Sequence, residues 1–551
     1  MNRRTFLATG AALPWLGRAA FPVADERRAD VVIIGGGLGG CAAALAATAR
    51  GLRVTLTEPT AWIGGQLTAQ AVPPDENAWI ETIGGTATYR ELRTRVRAHY
   101  RAMPALRAPA RDNPRLNPGN GWVSRLCAEP VVWHDTLRTM LAPALASGRL
   151  TILLETTPIA ADVERDQVRA VTVRTAGAAR DTVLRAPWFV DATELGDLLP
   201  LTNAEHVMGA EARRDTGEPH AAEVAQPDNQ QSFTVVFAME YRAGEDHTIT
   251  RPDDYARWRD HTIAVNGTAY RQLSFDEPAN AKIGFDPEQR TGYWSYRRIL
   301  DRTLFAPDTL ASDVTLVNWW QNDYAEGPLC GVPAHDAAQH LQAGKALSRA
   351  LLYWLQTEAL RPDGGTGWRG LRLRPDIVGT ADGLAMAPYV RESRRIRAIT
   401  TIREQDVLRP LRMEATGASA ERVTATPFGD SVGIGHYAMD LHRTTRGDTG
   451  GYGDTLPFQI PLGALLPVRL RNLLPACKNI GTTHLTNGCY RLHPIEWNIG
   501  EAVGHLLAHC TTHRRDPHVV HRRTAWREAY QQELTQAGVR LAWPSPLPER
   551  G

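Results

Sequence analysis

This chain has almost no surplus charge of either sign. Lys+Arg number 62 and Asp+Glu 60, the formal net charge is +2, and the arginines are spread among acids rather than gathered in a basic block. That balance argues against a nucleic-acid partner, which would demand a basic patch or stripe. Cysteine is scarce as well. The six thiols, Cys41, Cys127, Cys330, Cys477, Cys489 and Cys510, form no CxxC pair and no ligand spacing with histidine, so neither a metal centre nor a disulfide framework is expected. Low-complexity tracts and internal repeats are missing, which excludes solenoids and arrays. What is present is 551 residues with 47 Gly and 15 Trp, enough for two or three domain-sized units with sizeable cores and many turns, as in a folded enzyme.

The N-terminal apolar segment is too short to span a membrane. In MNRRTFLATGAALPWLGRAAF it follows a twin arginine, Arg3-Arg4, and Phe6-Leu7. This resembles a twin-arginine export signal, an address for cargo that folds before it travels, with cleavage expected between Ala19 and Ala24. Residues 1–24 are read as that signal. The mature protein is then expected outside the cytoplasm, in the periplasm or exported.

Residues 30–58, DVVIIGGGLGGCAAALAATARGLRVTLTE, organise the rest. They read as strand, tight glycine turn, helix and second strand, a dinucleotide-binding βαβ unit. Gly35 serves the turn, Gly37 the approach of backbone to a pyrophosphate, and Gly40 the packing of helix on strand. The helix N-terminus brings unpaired N–H groups and a positive dipole end to the phosphates. Glu58 lies 18 residues after Gly40, where a carboxylate can accept from ribose hydroxyls and would repel a 2′-phosphate. The Gly64-Gly65 pair follows and lets the chain pass close to a ligand.

Further along, 85–103 and 130–146 read as helices, with Leu92, Val96, Tyr100 and then Leu137, Met140, Leu141 at helical spacing. From Leu150 to Val190 the pattern changes to short alternating strands, a three-stranded antiparallel meander. Val190–Thr193 should then re-enter the parallel sheet beside the first strand, with Asp191 and Thr193 at its end. A long helix is expected over 335–360, with Leu341, Leu347, Leu351 and Leu355 on one face. Around it lie TGEPHA, NWWQNDY, PYVRESRRIRAI and DSVGIGHYAMDLH. The arginines at 391, 394, 395 and 397 fit either a solvated helix face, preferred for Arg397, or a grip on carboxylate or phosphate.

The segment 472–510, NLLPACKNIGTTHLTNGCYRLHPIEWNIGEAVGHLLAHC, reads as a strand, a glycine-bearing loop and a helix starting near Ile499-Gly500. A helix N-terminus returned to the nucleotide domain from so far away suits a flavin ring that takes up negative charge. NAD domains do not require such a return, and no second GxGxxG follows a strand.

DATELGDL, YVRESRRI and YRLHPIEWNIGEAVG together resemble the bacterial FAD-dependent oxidoreductases with a glutathione-reductase-like flavin fold, and the likeness covers nearly all of 30–510. The resemblance implies an α/β fold: a Rossmann-like FAD-binding domain, parallel sheet plus antiparallel meander, with an inserted α+β substrate domain. The expected parts are 25–204 (FAD domain, first part), 205–465 (insert), 466–512 (FAD domain, closing part) and 513–551 (helical tail). It also implies noncovalent FAD along Gly35, Gly37, Gly39, Gly40, Glu58, Gly64, Gly65, Gln66, Asp191, Thr193, Gly500, Glu501 and Ala502.

Gly488-Cys489-Tyr490-Arg491-Leu492 is similar, more loosely, to the segment before the last flavin helix in the succinate dehydrogenase and L-aspartate oxidase type. There the arginine faces flavin and substrate. The expected activity is hydride transfer from a C–H bond of a small molecule to FAD, then to oxygen or a membrane or periplasmic carrier. Arg491 would orient the substrate and His493 or His484 act as base, with Tyr389 and Arg391 next in line. The alternative for these residues is structural: His493-Pro494 shapes a turn and Arg491 pairs with Glu496. Two other functions compete, a flavin monooxygenase, and an exported polysaccharide lyase or carbohydrate-binding protein with structural FAD.

Overall fold

The computed structural model describes residues 25–265, 268–276, 283–448 and 450–549. The twin-arginine segment lies outside them. Val31–Ile34 is buried along its whole length, as a central strand covered on both faces must be. It pairs with Val54–Thr57 on one side and Trp188–Asp191 on the other, so the chain does return beside its first strand. Leu150–Leu153 and Leu473–Pro475 complete a five-stranded, all-parallel sheet.

The meander Thr156–Glu164, Gln167–Thr175 and Thr182–Arg185 is antiparallel as expected, but the layer has a fourth strand. Asp25–Arg28 pairs parallel with Thr182–Arg185. Its sequence, DERR, is exposed throughout and joins by backbone pairing alone, so no apolar alternation announced it.

Helices Ala87–Arg101 and Pro130–Ala146 fall where the 3.6-residue spacing placed them. Ala334–Thr357 buries Leu347, Leu351 and Leu355 and half-buries Leu341 against a second core. That core covers one side of a four-stranded antiparallel sheet in the order Arg298–Leu300, Val314–Val317, Phe237–Tyr241, Leu371–Leu373, taking in Phe237, Met239, Val317 and Leu371, while Ala238, Ile299, Leu300, Val314 and Leu316 belong to the main core. It runs from Phe233 to Leu384. Ile402, Val432 and Ile460 belong instead to the main core, with the closing segment.

That closing segment departs most from expectation. A short helix, His484–Tyr490, precedes the long one, and the long one is His493–His513, so it starts six residues before the predicted Ile499. Pro494 sets the start: proline costs nothing in the first turn, where its missing N–H has no partner to lose. Gly500, Glu501 and Ala502 are therefore helix interior and not a helix N-terminus. A Cβ on Gly500 would lie 1.9 Å from the Gly39 carbonyl oxygen, and one on Gly504 2.5 Å from that of Ala43. The closing helix thus lies directly on the nucleotide helix Leu38–Ala49. Glu501 accepts from Thr88 Oγ1 (2.6 Å) and the Ala502 carbonyl from the Tyr530 hydroxyl (2.7 Å). The tail adds helices Pro517–Arg522 and Thr524–Gln536.

Candidate active site

The glycine loop is built for close backbone approach. Gly35 has φ +102°, and a Cβ there would meet the Ala192 carbonyl oxygen at 2.2 Å. Gly39 and Gly40 are tight contacts too, against the carbonyls of Ala476 and Gly35. Glu58, buried at the end of its strand, accepts from the Gly36 N–H (3.0 Å), the Thr60 N–H (2.9 Å) and Thr60 Oγ1 (2.6 Å). Burial pushes its pKa up to about 7 in spite of these bonds. Asp191 and Thr193 are turned on each other. The Asp191 carboxylate accepts from the Thr193 N–H and Oγ1 and from the Leu198 N–H, with its pKa lifted by burial to about 7. They shape the crossover loop.

Next to Glu58 the Gly64 N–H donates to the Gly36 carbonyl at 2.7 Å, which holds the second glycine pair on the first loop. A Cβ on Gly65 would lie 2.9 Å from Gly37 Cα and 2.8 Å from Glu194 Oε1. The result is a slot with glycine backbone on two sides, reached by two carboxylates, Glu194 and Glu496. Glu194 Oε1 is buried there without a hydrogen-bond partner, while its Oε2 is paired with the buried Lys478 ammonium. Glu496 Oε1 accepts from the Gly39 N–H (3.2 Å) at the start of the nucleotide helix, and Oε2 accepts from Gln66 Nε2. Burial, with Glu194 beside it, lifts the Glu496 pKa to about 7. N–H donors, a glycine slot and a buried lysine fit the pyrophosphate of a dinucleotide. Glu58 fits its ribose. A pyrophosphate entering the slot would take over donors that carboxylates now hold.

Gln66 Nε2 also reaches the Arg491 carbonyl at 3.1 Å, joining this slot to a buried cluster of guanidinium groups. Arg491 Nη1 donates to the Tyr389 hydroxyl (2.7 Å), and Nη2 lies 3.4 Å from the Asp440 carboxylate. Arg391 is paired with Asp323 at 3.0 Å and stacks 4.8 Å from the centre of the Tyr389 ring. His442 bridges Asp323 (2.6 Å) and Asp440 (3.4 Å). Burial and the neighbouring Arg391 would lower the His442 pKa, yet the two carboxylates outweigh them and raise it, which favours the imidazolium.

The third arginine of the cluster, Arg297, is 7% exposed and incompletely partnered: it stacks 4.9 Å from the centre of the Tyr296 ring, Nη2 lies 3.5 Å from the Tyr296 hydroxyl and 3.8 Å from Asp75, and Nε and Nη1 are buried with no partner. The Asp75 carboxylate accepts no hydrogen bond from the described residues, and burial raises its pKa. Asp75 and Arg297 were not legible as site residues. Their signals were an acid after Pro73-Pro74, downstream of the Gly64-Gly65 pair, and an arginine in Tyr296-Arg297-Arg298. Asp323, Asp440 and His442 do fall in two of the stretches singled out above, NWWQNDY and DSVGIGHYAMDLH.

The two histidines expected as bases are otherwise engaged. His493 Nδ1 accepts from the Asp75 backbone N–H at 3.0 Å, which puts the imidazole proton on Nε2. Nε2 has no hydrogen-bond partner, and burial together with Arg297 and Arg491 holds the pKa well below its ordinary value. His493 is a neutral donor facing the site. His484 lies in a different network. Its Nδ1 is 3.0 Å from Glu392, and Arg395 bridges Glu392 and Glu211. Burial disfavours its charge, but Glu392 outweighs that and raises the pKa, which favours the protonated ring and its pairing with Glu392. Arg491 pairs with Asp440 rather than Glu496. Arg394 caps the Leu195 carbonyl, and Arg397 is exposed.

The profile of one family, described as FAD dependent oxidoreductase, matches residues 30–534. No curated protein matches the chain. Among solved structures it is similar to a geranylgeranyl bacteriochlorophyll reductase-like protein from Thermoplasma acidophilum (10% identity, 94% of this chain and 85% of that one, TM-score 0.31). A second is OxyS anhydrotetracycline hydroxylase from Streptomyces rimosus (12% identity, 93% and 67%, TM-score 0.32). A third is L-proline dehydrogenase from P. horikoshii (16% identity, TM-score 0.18), where the match takes in 34% of this chain and only 25% of that one.

Proposed function

The chain belongs to the family of FAD-dependent oxidoreductases, and on that premise we propose that it takes hydride from a C–H bond of a small molecule held among Arg297, Arg391 and Arg491. FAD, when bound, supplies the two-electron acceptor. Gly35, Gly37, Gly65 and Glu58 would hold it, with Lys478 near its phosphates.

The protein's own part is positioning and dryness. Arg491, fixed between Tyr389 and Asp440, and Arg391, fixed on Asp323, form a polar wall whose two guanidinium groups are almost wholly buried. His493 adds a neutral ring close to Arg297 and Arg491. The observation that carries the reading is this continuity. One hydrogen-bonded path runs from the Gly39 N–H through Glu496 and Gln66 to Arg491, from the phosphate end of a dinucleotide site to a buried cluster built for a polar substrate.

The test is anaerobic mixing of the yellow protein with candidate substrates. Loss of absorbance at about 450 nm is the expected result. A protein that dithionite bleaches but no substrate does, while it turns over carbohydrate, would sink the reading in favour of a lyase.

We also propose that the folded, FAD-loaded protein is exported through Arg3-Arg4 and passes its electrons to oxygen or a membrane or periplasmic carrier. Replacing both arginines with lysine should strand a yellow protein in the cytoplasm, and unchanged export rejects the route.

A further inference from the structure

We infer that the substrate is a small hydroxy acid, its carboxylate seated on Arg297 and the hydroxyl of the carbon to be oxidised seated on Asp75. This rests on the hydride-transfer reading above and names its substrate class.

The charges of the cluster do not close among themselves. Arg297, Arg391, Arg491 and His442 are cations, against the carboxylates Asp75, Asp323 and Asp440. Three of the four cations are committed: Arg391 and His442 to Asp323, His442 again and Arg491 to Asp440. Arg297 is left with Asp75 at 3.8 Å and the Tyr296 hydroxyl at 3.5 Å, both long contacts, and with two buried nitrogens that donate to nothing, where Arg391 and Arg491 each leave only Nε without a partner. A guanidinium taken out of water without a full set of acceptors is costly, so a site that retains one is complementary to an incoming anion. The Nε2–H of His493, a neutral ring close to Arg297 and Arg491, adds a further donor.

Beside these donors sits an unsatisfied acceptor. The Asp75 carboxylate is buried, receives no hydrogen bond from the described residues, and is fixed through its own backbone N–H to His493. Unfilled donors and one unfilled acceptor side by side match a molecule that carries a carboxylate and an O–H group. A neutral polyol would leave Arg297 unpaired, and an amine cation would meet a surplus of positive charge.

In the step that follows, the substrate O–H and C–H bonds break and a C=O bond forms. The proton goes to Asp75, the hydride goes to the bound FAD as its two-electron oxidant, and an oxo acid is released. Burial raises the Asp75 pKa, which makes its carboxylate a stronger proton acceptor. Tyr296 and Tyr437 flank Arg297 and Asp75 and complete the surroundings.

The test uses the FAD-loaded full-length protein. D- and L-lactate, D- and L-malate and D-gluconate are mixed with it anaerobically, against their neutral counterparts 1,2-propanediol and D-glucose. Oxalate is titrated separately, with perturbation of the flavin spectrum as a binding signal. The expected result is bleaching by one or more acids and not by their neutral counterparts. Arg297→Met should raise the half-saturating acid concentration by about 100-fold with a limiting rate within about tenfold, and Arg297→Lys should restore part of the loss. Asp75→Asn should cut the limiting rate by about 100-fold and keep the oxalate signal. FAD content and melting temperature show that each variant is folded.

Faster bleaching by neutral polyols than by acids overturns the substrate class and leaves the hydride-transfer reading standing. Equal oxalate binding by parent and Arg297→Met overturns the anion site. An oxalate signal that depends on Arg297, in a protein that no C–H donor bleaches, supports the anion site and counts against hydride transfer. An Asp75→Asn variant that reacts at the parent rate removes Asp75 as the base.

Discussion

The backbone N–H of Asp75 donates to Nδ1 of His493 at 3.0 Å, and this bond decides which proton the histidine carries. With that lone pair occupied, Nε2 must hold the hydrogen, and the ring faces the site as a donor. Burial and two nearby arginines keep it neutral.

His493→Gln therefore should not behave as the loss of a base. The limiting rate of anaerobic flavin reduction should fall by less than about tenfold, well short of the 10²–10⁴ that general-base catalysis typically contributes. The melting temperature should drop, because a Gln that misses the Asp75 N–H leaves it buried and unpaired at a cost of about 1–3 kcal/mol. Stopped-flow reduction and thermal melts of the same preparation separate the two effects. A hundredfold slower reduction at unchanged stability would restore His493 as the base.

His484 and Glu392 make a second, structural use of a histidine. The folded pKa of His484 is raised and that of Glu392 is held down to about 2, for the most part by each other against the cost of burial. A raised histidine pKa gives stability that is fully present below about 6.5 and is lost as pH rises through the folded value; a depressed carboxylate pKa gives stability lost as pH falls below about 4.5. His484→Ala should thus cost roughly 3 kcal/mol in urea unfolding at pH 6, since it leaves Glu392 buried with only Arg395 opposite. The deficit should shrink at alkaline pH. A constant deficit from pH 6 to 9 would contradict the pairing.

The parallel sheet and the nucleotide helix were legible because both carry local, periodic signals: VVII as a continuous apolar run, and glycines at fixed offsets. The return beside the first strand was legible too, although the strand is Trp188–Asp191 rather than Val190–Thr193, with Ala192 and Thr193 in the loop that follows. The closing helix was misplaced because Gly500 was taken for its start. Pro494 was the better start signal, and Gly500 serves a contact with Gly39, far away in sequence. Asp75 and Arg297 were invisible for a physical reason as well. Nothing local marks a carboxylate or guanidinium whose neighbours will fail to pair it. That shortage exists only once the residues around 75, 297, 440 and 491 have been brought together.

Glu58 offers a direct reading of the adenosine end. Glu58→Arg should give colourless protein, because a ribose contact is lost and a bulky cation enters a buried position, at a cost on the order of 2 kcal/mol or more. Glu58→Gln is the informative companion. The parent carboxyl is raised to about 7 by burial, so its contribution to apoprotein stability is present at acid pH and lost as pH rises through about 7. Glu58→Gln removes that slope. Full FAD occupancy in Glu58→Arg would mean the ribose lies elsewhere.

Gly500 separates two roles for the closing helix. If its place is at the crossing with Gly39, any side chain there pushes the nucleotide helix away: a Cβ lies 1.9 Å from the Gly39 oxygen, and that oxygen is backbone and cannot swing aside. Gly500→Ala should then destabilise the protein by about 1–3 kcal/mol, the usual cost of overpacking. The loss should appear in the apoprotein as well as in the FAD-loaded form. A residue that only touched the flavin would behave differently, leaving the apoprotein melt unchanged and weakening cofactor retention alone. Paired thermal melts with and without FAD decide between them, and an unaltered apoprotein would contradict the helix crossing as the reason for this glycine.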